Sequence, residues 1–213
     1  MPSTCPKCHS VVAEDVVCCA DLVHTWKCLS CRKVSSGFAV PYGKCFLCGG
    51  DLETIRGYDL DDPMAVRPIR EAVQFELNSY HFYRLALTRV SDPTMRAIFE
   101  QLYQNEVDHL HTLQERYHTH LSDDVLELRP SAEALLADDL FRGIDLADPR
   151  QGPLGVYDKA ILMERRTRDH FRALADSLEE GDQKEICREL AAEEEEHVAM
   201  LETEREQFAS DRR

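Results

Sequence analysis

Two sets of residues in this 213-residue chain have the types and spacing that chemistry requires: a cysteine-rich head, and glutamates paired with histidines further on. Eight of the nine cysteines fall within the first 48 residues, as Cys5-Pro-Lys-Cys8, Cys18-Cys19, Cys28-Leu-Ser-Cys31 and Cys45-Phe-Leu-Cys48. A Cys-x-x-Cys turn wraps two thiolates around one tetrahedral ion, and two such turns complete a four-sulfur shell. Three of them, separated by short β-prone runs such as Val16-Val17 and His24-Thr25-Trp26, predict a metal-bound β-ribbon over residues 1–54. So small a module buries little apolar surface, so bound metal is expected to supply much of its folding free energy. Two pairings satisfy the spacing: Cys5, Cys8, Cys28 and Cys31, or Cys28, Cys31, Cys45 and Cys48. Cys18, Cys19, His9 and His24 are the groups left to complete a second site. Zinc and iron both suit four thiolates; iron would pass electrons, whereas zinc has no redox chemistry.

The second set emerges from an internal repeat. Adding 88 to a residue number maps Ala72 onto Ala160, Val73 onto Ile161, Glu76 onto Glu164, Tyr83 onto Phe171 and Arg84 onto Arg172. The same shift maps Leu102 onto Leu190, Glu106 onto Glu194, His109 onto His197 and Leu113 onto Leu201. Each half thus offers one glutamate and, thirty residues later, a Glu-x-x-His. At i and i+3 a glutamate and a histidine project from one helix face, so Glu106/His109 and Glu194/His197 each present two ligands together. Leucines at helical spacing flank both pairs, which places the ligands on apolar, inward faces. Four buried carboxylates without cations are strongly destabilising, whereas two divalent ions balance them and two neutral imidazoles complete the shell. A lone Glu-x-x-His, or the acidic run Glu193–Glu196 by itself, reads as a solvated helix face. Six ligands, three in each half and matched at one offset, point to a dimetal site. Glu193 is also within helical reach of His197, and the repeat is what favours Glu194.

The elements that must position these residues are helices. Apolar residues recur at Val73, Leu77, Tyr80, Leu85 and Leu87 within an expected helix over 69–90. Ser91-Asp92-Pro93 forms a break, with Asp92 as N-cap and Pro93 at the first helical position. A second helix is expected to about His120, a short one over 132–141, a third from about Gly155 to Glu179, and a fourth after Gly181-Asp182. Residues 55–68, rich in Asp and Pro, read as a linker. Four long helices with short, long and short connections describe a mainly α body over 69–209, a four-helix bundle with one long crossover. His81, His111, His118, His120 and His170 find no partner in the repeat and read as surface or boundary residues. Cys187, seven residues before Glu194, shares its face and reads as a buried, inert thiol.

Residues 69–206 resemble the rubrerythrin branch of the ferritin-like superfamily, with Glu76, Glu106, His109, Glu164, Glu194 and His197 matching its di-iron motif. The head resembles that family's rubredoxin-like or zinc-ribbon module, placed N-terminally as in reverse rubrerythrins. Arg32 stands where a rubredoxin knuckle usually has Gly, and Phe46 where Pro is usual. The resemblance implies a ferritin-like four-helix di-iron protein, often dimeric, that reduces hydrogen peroxide or oxidises Fe(II). It implies two iron ions in the bundle, zinc or iron in the head, and an electron-donor protein as a further partner. Tyr83 is expected to hydrogen-bond a ligand carboxylate or donate an electron, which Phe171 at the matching position cannot do by hydrogen bonding. Peroxide-reducing members carry an extra glutamate one turn along the third ligand helix. Here the positions three after and three before Glu164 are Thr167 and Ile161, a symmetric pattern closer to a ferroxidase or a generic oxygen-reactive centre. The rival expectation is a non-catalytic metal-binding adaptor, with a structural zinc ribbon and an iron-responsive or structural bundle.

Charge narrows the partners. The chain carries a formal charge of −15 and a pI near 5.0. Residues 1–50 hold five Lys+Arg against three Asp+Glu, so the acid lies in the body. Phosphate neutralisation needs clustered Lys and Arg, so a nucleic-acid role is not expected. No charged and apolar leader opens the sequence and no apolar stretch approaches ~18 residues, so the expectation is a cytoplasmic protein without a membrane role. Closely paired cysteines in a reducing cytosol favour metal ligation over disulfides.

Overall fold

The computed structural model describes residues 3–4, 11–12, 24–56, 63–117 and 119–211. It is mainly helical. Helices α1 (Pro63–Leu87), α2 (Pro93–Tyr117), α3 (Asp123–Leu126), α4 (Pro130–Leu140), α5 (Gln151–Ser177) and α6 (Asp182–Asp211) follow strands β1 (Ser3–Thr4), β2 (Val11–Val12), β3 (His24–Cys28), β4 (Val34–Gly37) and β5 (Leu52–Arg56). Two compact units divide the chain: residues up to Asn78 with Val107–Asp139, and Ser79–Glu106 with Leu140 onward. No helix among the described residues is long and apolar enough to cross a membrane.

In the first unit, β1 and β2 pair antiparallel, and β3 lies between β4 and β5, antiparallel to both. Trp26 on the central strand is buried and stacks on His24, 5.8 Å between ring centroids. A three-stranded sheet of four- and five-residue strands buries too little to stand alone, and the head leans on helices of its own unit. Tyr42 donates from its backbone N–H to Asn78 Oδ1 at 2.9 Å and from its hydroxyl to the Asn78 carbonyl at 2.5 Å. One helical turn earlier, Gln74 Oε1 accepts from the Val40 N–H. On the other flank, Ser131 of α4 donates to the Leu47 carbonyl, and Gly49 lies so near α4 that a Cβ there would sit 2.9 Å from Leu135 Cβ.

The second unit packs the later part of α1 and the earlier part of α2 with α5 and α6 around an aromatic core. Phe82, Tyr83, Phe99, Tyr157 and Phe171 are each at most 1 % exposed. Phe99 contacts Tyr83 edge-on at 5.4 Å and Tyr157 at 5.8 Å, the geometry ring quadrupoles favour. Asp158 pairs with Arg205 and Arg168 with Glu195, so rising numbers on α5 meet falling numbers on α6 and the two helices run antiparallel. Such exposed pairs each contribute only about 0.2–1 kcal/mol; Met163, Glu164, Phe171, Leu190, Glu194 and Leu201 make the buried face between them.

The helix punctuation follows side-chain chemistry. Asp92 Oδ1 accepts from the Met95 N–H at 3.0 Å, which caps α2 as the Asp-Pro pair predicts. The crossover differs from the sequence expectation. Helix α5 begins at Gln151, so Gly152 and Pro153 lie in its first turn rather than in the loop before it. Asp148 caps it, accepting from the N–H groups of Arg150 and Gln151 at 2.8 Å, and a proline in a first turn forfeits no hydrogen bond. Gly152 is required there because a Cβ would meet the Asp145 carbonyl oxygen at 2.7 Å. Helix α1 likewise starts at Pro63, ahead of the expected Ile69, with proline at its first position. The short helix α3 had no periodicity by which to be expected.

Candidate metal centres

Among the described residues the structure brings together the second of the two candidate cysteine sets. Sγ atoms of Cys28, Cys31, Cys45 and Cys48 all lie within 4.8 Å of one another, with Cys28–Cys48 at 3.5 Å and Cys31–Cys45 at 3.8 Å. A tetrahedral shell with metal–sulfur bonds of about 2.3 Å has edges of about 3.8 Å, so the four thiols already stand near metal-bound spacing. Cys5, Cys8, Cys18, Cys19 and His9 lie outside the described residues.

Both knuckles have one geometry. Each is Cys-x-x-Cys followed by a residue in the left-handed region, Arg32 (φ 64°) after Cys31 and Gly49 (φ 73°) after Cys48. That conformation folds each turn's backbone amides toward sulfur, and Cys31 N–H points at Cys28 Sγ, 3.4 Å away. Gly adopts it freely; Arg does so at a cost of about 1–2 kcal/mol. The sequence departure at Arg32 is therefore a change of residue without a change of backbone path. Burial pushes the Cys28 thiol up, but the N–H groups of Cys31 and Ser30 outweigh it and bring the pKa down to about 7. At Cys48 the Gly50 N–H favours the thiolate, yet burial and the three neighbouring sulfurs prevail and push it up to about 12. Without a cation this cluster supports few thiolates; a divalent ion supports four.

The carboxylate centre is built the same way, from groups that repel unless something joins them. In the second unit Glu106 of α2, Glu164 of α5, and Glu194 and His197 of α6 place ligand atoms within 4.8 Å of one another, all buried. His197 Nδ1 lies 3.2 Å from Glu194 Oε2 and 4.0 Å from Glu164 Oε2. Burial, followed by the Glu194 carboxylate, holds the Glu164 carboxyl well above its usual range. Tyr83 donates its hydroxyl to Glu164 Oε1, and burial together with the charges of Glu164 and Glu106 keeps the phenol protonated. In the first unit, His109 Nδ1 lies 3.0 Å from Glu76 Oε2, and both residues are buried. Oxygen and imidazole donors of this kind suit iron, manganese or zinc.

The acidic run resolves by helical phase: Glu194 is fully buried while Glu193, Glu195 and Glu196 are exposed. Cys187 is buried, and burial raises its thiol to about 11, in keeping with an inert group. Contrary to the sequence expectation, His81 is not a surface or boundary residue but fully buried, edge-on to Tyr80 at 5.0 Å. It lies one position from Phe82 on a stretch of α1 whose neighbours Tyr80, Phe82 and Tyr83 are all buried. His111 and His120 are exposed and His170 half-buried, whereas His118 lies outside the described residues. Sequence spacing also passes over Asn105, whose side-chain amide Nδ2 lies 2.9 Å from His197 Nε2. Its only signal is its place immediately before Glu106.

Comparison with protein-family models, with curated proteins and with solved structures gives no match.

Proposed function

We propose that this chain is a ferritin-like, rubrerythrin-type di-iron oxidoreductase acting on O2, Fe(II) or hydrogen peroxide. The observation that carries the reading is the mutual approach, within 4.8 Å, of three fully buried carboxylates and an imidazole from three helices. Gathering three carboxylates in a buried core is costly without counter-charge, and divalent cations supply that charge. The 88-residue repeat extends the set to six: Glu76 and His109 are the counterparts of Glu164 and His197, and His109 lies one turn beyond Glu106 on α2. The donor set therefore fits two iron ions, held by Glu76, Glu106, His109, Glu164, Glu194 and His197.

Iron held by these residues would supply the electrons that reduce O2 or hydrogen peroxide, or would itself be the Fe(II) that is oxidised. The protein's own groups do the rest. Tyr83 fixes the rotamer of Glu164 by its hydrogen bond and keeps a proton beside the centre. Phe171, at the equivalent place in the other half, is fully buried and presents only a ring, so the two sides of the centre differ in proton supply. The aromatic core around Tyr83 and Phe99 excludes bulk water. Thr167, where an extra glutamate would favour peroxide, is buried and donates its hydroxyl to the Met163 carbonyl one turn back. The site thus gains no fifth carboxylate there, which favours Fe(II) oxidation by O2 over peroxide reduction. The four-thiolate head serves as electron relay with iron, or as a structural ribbon with zinc.

Anaerobic reconstitution of the full chain with Fe(II) tests the reading. We expect about two iron ions per chain in the bundle, oxidant-dependent turnover, and loss of both in Glu106→Ala. Absence of bundle iron refutes it. Metal uptake without turnover, with a colourless zinc head, identifies the adaptor instead.

A further inference from the structure

His197 turns one ring nitrogen toward the carboxylates and the other toward Asn105. Nδ1 lies 3.2 Å from Glu194 Oε2, and Nε2 lies 2.9 Å from the Asn105 amide. A neutral imidazole has one N–H and one lone pair, so the partner of Nε2 decides what Nδ1 offers. If the amide NH2 donates to Nε2, the proton sits on Nδ1 and the carboxylate side of the ring has no lone pair. If the amide oxygen accepts from Nε2–H, Nδ1 presents its lone pair to the carboxylates. The two ends of a primary amide are nearly equal in size, and a half-turn exchanges them in place.

We propose that Asn105 accepts a hydrogen bond from His197 Nε2–H through Oδ1, and is the positioning residue that makes His197 a metal ligand through Nδ1. The inference rests on the dimetal reading above and adds a residue to it. A cation among Glu106, Glu164 and Glu194 meets Nδ1 rather than Nε2, because Nδ1 is the nitrogen on that side. Once Nδ1 is committed to a cation, Nε2 carries the proton and needs an acceptor, and the Asn105 amide is at hydrogen-bond distance. Consecutive positions of α2 thus supply a ligand, Glu106, and the orienting partner of a ligand on α6. The repeat does not copy this device. Position 193 is a glutamate, so the two halves carry an amide in one case and a carboxylate in the other.

The test uses the full chain with its head filled with Zn(II), titrated anaerobically with Fe(II) against a competing chelator. Asn105→Leu should weaken bundle binding by about 10–100-fold, the usual effect of losing an imidazole's outer partner. Its metal-free Tm should stay within about 4 °C of the parent, or roughly 1 kcal/mol for a chain this long. Asn105→Asp accepts but cannot donate, so it should restore affinity; Asn105→Ala is the smaller truncation if Leu disturbs packing. In protein fully loaded with Zn(II) and 15N-labelled at histidine, the His197 Nε2–H signal should be protected from exchange in the parent and Asn105→Asp, and lost in Asn105→Leu. Parent-like Fe(II) affinity in both Asn105→Leu and Asn105→Ala, or an Asn105→Asp variant as weak as Asn105→Leu, overturns the role of Asn105 alone. A parent that takes up no bundle Fe(II) overturns the dimetal reading and this inference with it.

Discussion

Replacing Glu164 by glutamine should stabilise the metal-free protein and destabilise the metal-loaded one. Glu164 is fully buried, and burial and the Glu194 carboxylate raise its pKa above the reference value of 4.5. Below pH 4.5 both folded and unfolded chains hold the proton and the residue costs nothing electrostatically. As pH rises above 4.5 the unfolded chain releases the proton while the folded one retains it, so the penalty on folding grows until pH passes the folded pKa. Glutamine has nearly the same shape and still accepts from the Tyr83 hydroxyl, but carries no charge. Glutamine removes this proton-linked penalty, which at about 1.4 kcal/mol per pH unit amounts to about 1–4 kcal/mol by pH 7.5, and at about 2–4 °C per kcal/mol the metal-free Tm at pH 7.5 should rise by about 2–16 °C. With Fe(II) at about 100 times its Kd the parent gains about 2.7 kcal/mol, or about 5–11 °C, and the variant should lose most of that gain. Differential scanning calorimetry under argon, with and without metal, reads both signs. The metal-free difference should shrink as pH falls toward 4.5. An equal loss of Tm by the variant in both metal states would show that Glu164 is an ordinary packed side chain and would refute the reasoning.

Two further outcomes concern the head. Arg32→Gly relieves a left-handed arginine, so it should stabilise the head by about 1 kcal/mol and slow metal loss to a chelator, whereas Gly49→Ala should speed that loss by adding both strain and a clash with Leu135. Cys45→Ser should remove the metal of the Cys28/Cys31/Cys45/Cys48 cluster, while Cys5→Ser should leave it in place; metal analysis of each purified variant, with a spectrum of its Co(II)-substituted form, distinguishes them.

Periodicity made the long helices legible because an inward stripe must recur every third or fourth residue whatever its neighbours do. The Asp92-Pro93 cap was legible for a similar reason, since it is satisfied within four residues. The start of α5 was not. Gly152 and Pro153 look like breakers in sequence, and only the Asp148 cap and the close Asp145 carbonyl show why they open a helix. The burial of His81 is not legible in the repeat, which assigns it no counterpart, because absence of a ligand role says nothing about burial.

Spacing along the chain is enough to tell which donor types are present and that the glutamates and histidines recur in two matching halves, because position along a helix fixes which side chains share a face. It left open which cysteines meet, since any two Cys-x-x-Cys turns satisfy the same local rule. Tertiary structure brings one such pair of turns together: β3 pairs with both β4 and β5, which carries the Cys28/Cys31 turn to the Cys45/Cys48 turn. It also supplied the contacts that no periodicity encodes: Tyr83 on Glu164, and Asn105 on His197, bonds between helices whose relative phase is set by packing rather than by either helix alone.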